Sequence, residues 1–336
     1  MADGGAAAQA LTAGRSCPPH YGYSPRVFAR AADAAADCAY VIGGLYGNVL
    51  ALDAIEAMAA AEAAPPLLVF NGDFHWFDAA PALFSEVQKR VLAAGRMALR
   101  GNVETEIAGE DDGAGCGCAY PDSVPDADVE RSNAILARLR AVAAAAGSRA
   151  ALAALPMHRV LAIGGARVAV VHGDAWSLAG WRFAHEALHD PAQEAAQRSA
   201  FELGAVDVYA CSHTCAPALK RVPAAHGEGF VVNNGAAGMA SFAGSAHGLI
   251  TRIATRALPH ALAGRRRYGV HTGAVWIDAL QVEFDLPAWL ARFDALWPAG
   301  SAAAVSYRQR LIDGPPFSVD AALGRAPGGS TSACFP

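Results

Sequence analysis

Four short polar segments each follow an apolar run, and each supplies one side chain that could bind a metal ion. A carboxylate, an amide oxygen and two imidazoles together form a ligand set that suits Mn, Zn or Fe. The segments are Asn71-Gly72-Asp73, Gly101-Asn102, His172-Gly173-Asp174 and Ser212-His213-Thr214. The candidate metal ligands within them are Asp73, Asn102, His172 and His213.

The hydrophobic pattern predicts the elements that must position the first two segments. Apolar runs over residues 40–43 and 67–70 predict buried strands, followed by helices over 50–62 and 81–94. A third short strand over 96–100 leads to Gly101. This alternation predicts an α/β fold with ligands at the carboxyl ends of the strands. Residues 1–37 are predicted to be an Ala/Gly-rich tail that includes a short helix around 27–36.

The second half predicts strands that lead to the two histidines. Residues 158–163 and 166–171 predict a hairpin turning at Gly164-Gly165, and a later strand over 206–210 leads to His213. Paired strands over 248–254 and 274–284 are also predicted. The second of them should carry a bulge near Ala279, where its apolar alternation changes phase. The glycines of residues 235–238 would allow an anion to approach the backbone.

In this order, the four segments resemble the motifs of the calcineurin-like metallophosphoesterase family, which read D-x-H, G-D, G-N-H, H-G-D and G-H-x-H. The resemblance covers roughly residues 40–256. It implies an α/β fold, a four-layer α/β/β/α sandwich of mixed sheets flanked by helices. We assign this domain to residues 38–285, with residues 108–155 as an insert that shapes the substrate opening. Residues 286–336 are then predicted to be a C-terminal helix and a Pro/Gly-rich tail.

Half of the family's two-metal site is missing from this sequence. Gly44 and Tyr46 stand where the first motif has its Asp and His, and Cys215 stands where the last motif has its second His. The Gly47-Asn48 pair fixes this alignment. Compared residue by residue with the family, all three substitutions fall on the side of the first metal, whereas the four candidate ligands serve the second. The resemblance therefore implies one divalent ion per chain rather than two.

Three residues could rebuild the lost position, namely Tyr46 as a phenolate, Cys215 as a thiolate and His75 as an imidazole. Such a set would favour Fe or Zn. The alternative is that Tyr46 fills the space of the ion and donates a hydrogen bond, while Cys215 is a small buried hydrophobe. We favour the alternative for these two residues. For His75, a catalytic role and a structural role in an aromatic loop both stay open.

Composition limits the classes of partner. With just over half of its 336 residues apolar, the chain can bury a sizeable core. Its net charge is −5, and the one basic run, Arg265-Arg266-Arg267, is typical of a solvated turn. Duplex nucleic acid is therefore disfavoured as a partner. A small phosphorylated substrate remains compatible, because the local field rather than the net charge governs a pocket. No feature indicates an oligomeric state.

The compartment is predicted from targeting signals and cysteines. Residues 1–6 lack the pattern of a signal peptide, and no later apolar stretch is long enough to span a bilayer. These two observations predict a cytoplasmic protein without a membrane partner. The seven cysteines lack a disulfide framework. Cys116 and Cys118 could form a thiolate zinc site with Cys211 and Cys215, but two loop thiols in a Gly-rich turn are the favoured interpretation.

Three functional hypotheses follow. The leading one is a phosphomonoesterase or phosphodiesterase that uses a metal-activated water at the single retained metal position, with Asp174 orienting His172 or structuring the loop. The second is a catalytically inactive relative that binds a phosphorylated ligand or a protein partner. It is favoured by Val103, which follows Asn102 where the family often has a general-acid His. The third is a rebuilt two-metal site.

Overall fold

Two six-stranded mixed sheets form the centre of the structure, a computed structural model that describes residues 11–110, 112–224 and 227–325. Sheet I has the order β11-β12-β10-β2-β3-β4 and sheet II has the order β1-β5-β6-β7-β9-β8. The strands are β1 (Ala34–Ala36), β2 (Cys38–Ile42), β3 (Leu67–Asn71), β4 (Met97–Leu99), β5 (His158–Ile163), β6 (Ala166–Val171), β7 (Val208–Cys211), β8 (Ala218–Ala224), β9 (Gly227–Asn233), β10 (Gly248–Ala254), β11 (Arg266–His271) and β12 (Trp276–Val282).

Helices cover the outer faces of both sheets. Those that pack on sheet I come from both ends of the chain, and α7 packs on sheet II together with the N-terminal segment around Phe28. The helices are α1 (Val49–Ala60), α2 (Pro81–Val91), α3 (Asn102–Ala108), α4 (Asp126–Ala145), α5 (Arg149–Ala153), α6 (His185–His189), α7 (Glu194–Gly204), α8 (Leu286–Leu296), α9 (Ala302–Asp313) and α10 (Val319–Ala322). The predicted four-layer α/β/β/α sandwich is confirmed.

The strands are apolar on both faces because both faces of each sheet are covered. In β2, Val41 packs between the sheets against residues such as Val168, whereas Tyr40 and Ile42 face the helices. The parallel pairs β2–β3–β4 and β6–β7 bring the carboxyl ends of these strands to one edge of the sandwich. The four polar segments begin at this edge.

The N-terminal segment differs from its prediction. The region predicted as a helix around residues 27–36 forms a 3-10 turn, Pro25–Phe28, followed by strand β1. Strand β1 pairs in parallel with β5, so tertiary pairing overrides the helix preference of its alanines. Tyr21 and Phe28 are fully buried. Residues 1–10 of the predicted tail lie outside the described residues.

Strand β12 is regular where the sequence predicted a bulge. The predicted bulge near Ala279 is wrong, because β12 pairs with β10 without a register shift. The change of phase arises because Ile277 packs between the sheets and Leu280 packs under the helices. The irregularity belongs instead to the neighbouring strand β11, between Arg266 and Tyr268.

The C-terminal region contains more structure than a docked helix and a tail. Helix α8 matches the predicted helix, and α9 follows it with Tyr307 and Leu311 buried against the body. The short helix α10 ends the described chain, and residues 326–336 lie outside it. Within the described ranges, no helix has both the length and the apolar character needed to cross a membrane.

Candidate metal centre

The four predicted ligands meet at the carboxyl edge of the two sheets. Asp73 follows β3, Asn102 begins α3 after β4, His172 follows β6 and His213 follows β7. Their exposed fractions are 6% for Asp73, 1% for Asn102, 1% for His172 and 5% for His213. The structure therefore gathers four polar side chains from four chain segments into one buried cluster.

His172 lies at the centre of this cluster. Its Nε2 atom is 3.3 Å from Asp73 Oδ2, 3.0 Å from Asn102 Oδ1 and 3.2 Å from His213 Nδ1. One potential ligand atom from each of Asp73, His172 and His213 lies within 4.8 Å of the others. The predicted ligands therefore converge on one small volume.

Backbone carbonyls fix which atoms face that volume. His172 Nδ1 is 2.9 Å from the carbonyl oxygen of Asn71, and His213 Nε2 is 3.0 Å from that of Cys118. Because a carbonyl only accepts hydrogen bonds, each of these nitrogens donates, and in the neutral imidazole the other nitrogen presents a lone pair to the cluster. Asn102 Nδ2 donates to the carbonyl of Cys116 at 2.9 Å, which turns its Oδ1 inward in the same way.

Four acceptor atoms thus point at one another. While both imidazoles are neutral, lone pairs on Asp73 Oδ2, Asn102 Oδ1, His172 Nε2 and His213 Nδ1 repel each other, and either a proton on His172 or a metal ion among them relieves this repulsion. A carboxylate, an amide oxygen and two neutral imidazoles are ligands that Mn, Zn and Fe accept. The carbonyl partners of the two histidines are of the kind that orients metal-binding imidazoles in proteins. The residues present therefore fit one divalent ion.

The pKa values of the two histidines shift in opposite directions. Burial lowers the pKa of His172, but the Asp73 carboxylate and the Asn71 carbonyl outweigh it, and the net shift is upward. The cluster thus attracts positive charge. Burial and the neighbouring His172 lower the pKa of His213 to about 3, which keeps this imidazole neutral, as a metal ligand must be.

A buried carboxylate that sequence reasoning missed shapes the Asp73 turn. Glu104 Oε2 accepts hydrogen bonds from the backbone N–H groups of Asp73 (2.7 Å) and Gly101 (2.9 Å). Its Oε1 accepts from those of Phe74 (3.0 Å) and His75 (3.3 Å). The turn needs this support because Asp73 has a φ of 50°. A Glu two residues after the Gly-Asn pair, at the third position of a helix, is the capping-box signal that could have identified it.

Gly101 permits the close approach of two ligands. A Cβ atom at Gly101 would lie 2.2 Å from Asp73 Oδ1 and 2.9 Å from His172 Cε1. No side chain fits at such distances. The glycine of the Gly101-Asn102 segment is therefore required by the packing of the cluster.

Tyr46 and Cys215 occupy the other half of the expected two-metal site. The Tyr46 hydroxyl lies 2.6 Å from Cys215 Sγ, and both residues are buried. The Tyr46 ring lies over Gly44, where a Cβ would meet its carbons at 3.1 Å. Gly44 itself has a φ of 62°. Tyr46 therefore takes up the space above Gly44 where a ligand side chain at that position would extend.

We expect Gly44→Ala to lower the free energy of unfolding by about 2 kcal/mol. Roughly 1 kcal/mol is expected from the positive φ, and the rest from displacing the Tyr46 ring. Urea denaturation measures the loss. The matched control is Gly95→Ala, because Gly95 has a φ of 81° and open space around it. Equal losses in the two variants would contradict the proposed packing of Tyr46 on Gly44.

His75 lies outside the cluster. Its ring is fully buried, stacks on Phe84 with centroids 3.6 Å apart, and places Nδ1 2.5 Å from Asp78 Oδ2. It does not line the cavity beside Asp73. The structure therefore places His75 in the packing between β3 and α2, away from the four ligands.

Asp174 also lacks a direct contact with the ligands. Its carboxylate accepts hydrogen bonds from the backbone N–H groups of Trp176 (2.7 Å), Ser177 (3.0 Å) and Arg182 (3.0 Å). Burial raises the pKa of Asp174, and these N–H groups oppose the shift. Of its two predicted roles, the geometry matches the structuring of the loop, because the Asn71 carbonyl orients His172 instead.

Residues of the predicted insert close over the cluster. Cys118 and Tyr120 line the cavity beside Asp73 together with Tyr46, Trp76 and other residues, and its volume is only about 10 Å³. This is close to the room that one water molecule needs. Among the described residues, the only grouping of three His, Cys, Asp or Glu side chains suited to a metal is Asp73, His172 and His213. The four-cysteine zinc site is therefore not formed.

The glycine-rich segment 235–238 packs on protein rather than presenting its backbone to an anion. The N–H of Gly238 donates to the carbonyl of Gly44 at 3.0 Å, and that of Ala237 donates to the carbonyl of Gly43 at 2.9 Å. A Cβ at Gly238 would lie 1.9 Å from the carbonyl oxygen of Leu45. The glycine serves this close contact between two loops.

Comparisons with known proteins find similar solved structures. No protein-family model matches the sequence, and no curated protein matches it. The structure is similar to that of a hypothetical protein from Pyrococcus horikoshii OT3. The TM-score is 0.55 and the identity 17%, over 83% of this chain and 99% of that chain. A metallophosphoesterase from Sphaerobacter thermophilus matches with a TM-score of 0.47 and 17% identity, over 82% of this chain and 99% of that one.

The match with the Pyrococcus protein spans most of both chains. At 17% identity, the two proteins share a fold. The two mixed sheets lie between helical layers, and the polar cluster lies at the strand ends. Both features, like the order of the four segments, are what the resemblance in the sequence predicts. The fold of this chain is therefore that of the Pyrococcus horikoshii protein, and its polar cluster lies at the strand ends as the resemblance to the calcineurin-like metallophosphoesterases implies.

Proposed function

We propose that this chain binds one divalent metal ion through Asp73, Asn102, His172 and His213 and hydrolyses a phosphoester there. The observation that supports the proposal is the convergence of four potential ligand atoms, of which those of Asn102, His172 and His213 are oriented by backbone carbonyls. Burying the Asp73 carboxylate among these groups is costly unless a cation compensates its charge.

Asp73, Asn102, His172 and His213 would hold the ion, which would supply Lewis-acid polarisation of a phosphoryl oxygen and activation of water as the nucleophile. The chain's own residues hold that ion and shield it from bulk water. Val103, at the position after Asn102, has no group that could protonate a leaving oxygen. We therefore propose that esters with acidic leaving groups, such as aryl phosphodiesters, are the better substrates.

A second candidate function is the binding of a phosphorylated ligand or a protein partner without turnover. The observation that favours it is the contact between Tyr46 and Cys215, which takes up the other half of the site. The small cavity over the ligands also restricts access for a substrate. The metal ion would then stabilise the cluster rather than act on a substrate.

Metal analysis combined with an activity assay tests the proposal. The protein is purified with added Mn, Zn or Fe, its metal content is measured by mass spectrometry, and hydrolysis of an aryl phosphodiester is followed. One equivalent of metal per chain with hydrolysis supports the proposal, whereas one equivalent without hydrolysis of mono- or diesters supports the second candidate. Two equivalents would indicate a rebuilt two-metal site, and a protein without metal would contradict both.

A further inference from the structure

A wide groove lies between the edge strands of the two sheets, away from the metal ligands. Strand β8 borders it on sheet II and β11 borders it on sheet I, while α10 and the residues after it close one side. Its volume is about 660 Å³, which is within the range of small-molecule sites. It shares no lining residue with the cavity beside Asp73.

The groove is strongly cationic although the chain is acidic. It contains one acidic side chain, Asp320, against a net charge of −5 for the whole chain. Clustered charge of one sign in a concave surface raises the local potential felt by a ligand. The cationic side chains that line the groove are Lys220, Arg221, Arg266, Arg267 and Arg325.

Three of these cations are available to a ligand. Arg221 pairs with Glu228, and Arg266 pairs with the buried Asp278. Within the part of the chain that the structure describes, no hydrogen bond or ion pair joins the side chains of the other three cations to a protein group. These three are Lys220, Arg267 and Arg325.

The backbone of β11 directs Arg267 toward this surface. The register between β11 and β12 shifts between Arg266 and Tyr268, so Arg267 is the extra residue of a β-bulge. A bulge changes the direction of side chains on an edge strand. The Arg265-Arg266-Arg267 run is therefore not a solvated turn, because Arg265 pairs with Glu283, Arg266 pairs with Asp278 and Arg267 lines the groove.

A buried donor without a partner also lines the groove. Tyr268 is only 7% exposed, and its hydroxyl makes no hydrogen bond in the described structure. A buried hydroxyl in this state is costly unless a ligand or water satisfies it. Half-buried apolar side chains lie beside it, namely Leu219, Val270, Val319 and Leu323. The groove therefore offers cations, a phenol donor and apolar surface together.

We propose that this groove binds a small organic anion that carries two or more phosphate groups beside an apolar part, the chemistry of a nucleoside diphosphate or triphosphate. Lys220, Arg267 and Arg325 hold the phosphates by charge-assisted hydrogen bonds. The Tyr268 hydroxyl donates to the same ligand, and the apolar side chains contact its base. The site is separate from the metal centre and does not depend on hydrolysis there.

Calorimetric titration with ATP in EDTA tests this proposal, because the chelator prevents binding through a metal ion. The variant Lys220→Gln/Arg267→Gln should bind ATP at least about hundredfold more weakly, because it removes two charge-assisted hydrogen bonds to the phosphates. Arg325→Gln and Tyr268→Phe should each weaken binding by a smaller factor. The matched control is Arg26→Gln/Lys89→Gln, which removes the same charge from exposed positions elsewhere.

The outcomes separate the proposed ligand from other anions. ATP binding that is weakened by the groove variant and kept by the control, with weaker binding of inorganic tripolyphosphate and of adenosine, supports the proposal. The proposal is overturned if ATP does not bind at millimolar concentrations, or if the groove variant and the control variant lose affinity for ATP equally. It is also overturned if tripolyphosphate binds as tightly as ATP. Tighter binding of a single-stranded oligonucleotide than of ATP would assign the groove to nucleic acid and also overturn it. Unchanged thermal midpoints of the variants exclude misfolding as the cause.

Discussion

We expect His213→Ala to lower metal affinity by at least about hundredfold and to abolish the proposed hydrolysis of an aryl phosphodiester. Removal of a group that only supports a ligand already costs about 10–100-fold, and His213 is itself a proposed ligand. Its Nδ1 atom faces His172 Nε2 at 3.2 Å within the cluster. Metal content by mass spectrometry and initial rates on the aryl ester measure the two effects.

A second variant guards against misfolding of the first. Alanine at position 213 also loses the hydrogen bond to the Cys118 carbonyl and leaves a buried cavity. Asp73→Asn keeps the shape of the side chain, and its remaining oxygen can still accept from the Val103 N–H, as Asp73 Oδ1 does at 3.1 Å. It should lose metal while its fold is retained.

The control for both variants is His260→Ala, an exposed histidine at the start of a 3-10 helix. It should keep full metal content and full activity. Equal turnover by His213→Ala and the parent protein would refute the hydrolase proposal. Loss of activity with full metal content would refute the assignment of His213 as a ligand.

Glu104→Gln should lower the free energy of unfolding by about 3 kcal/mol or more. Each Glu104 oxygen accepts from two backbone N–H groups. An amide NH₂ in either position would therefore face two donors and leave them unsatisfied, at about 1–3 kcal/mol for each buried group. Urea denaturation of the metal-free protein measures the effect without a contribution from metal binding.

The stability control is Glu130→Gln, which changes an exposed side chain of α4 by the same chemistry. It should alter stability by less than about 0.5 kcal/mol. If Glu104→Gln were equally mild, Glu104 would not hold the Asp73 turn. Glu104 accepts a hydrogen bond from the backbone N–H of Asp73, which is itself a candidate ligand. The Glu104→Gln variant should therefore also weaken metal binding.

Local pattern was sufficient for much of the fold and for identifying the four candidate ligands. Short apolar runs predict β2, β3, β5 and β6 because the strands are buried on both faces and the pattern stops where polar residues begin. The edge strand β8 has no counterpart in the prediction, because Lys220, Arg221 and Pro223 interrupt its apolar pattern. Helix α9 lacks a prediction too, because its buried face is defined by tertiary contacts with α4, α8 and the aromatic residues Trp76 and Phe77.

The sequence by itself determined which four side chains could bind the ion, since each follows a strand and parallel strands deliver their ends to one edge. Tertiary structure decided what the residues around these four side chains contact. His75 stacks on Phe84, Tyr46 contacts Cys215 across the fold, and Glu104 supports a turn 30 residues earlier. It also decided that β8 and β11 border one cationic groove. Such contacts join residues far apart in the chain, and no local spacing encodes them.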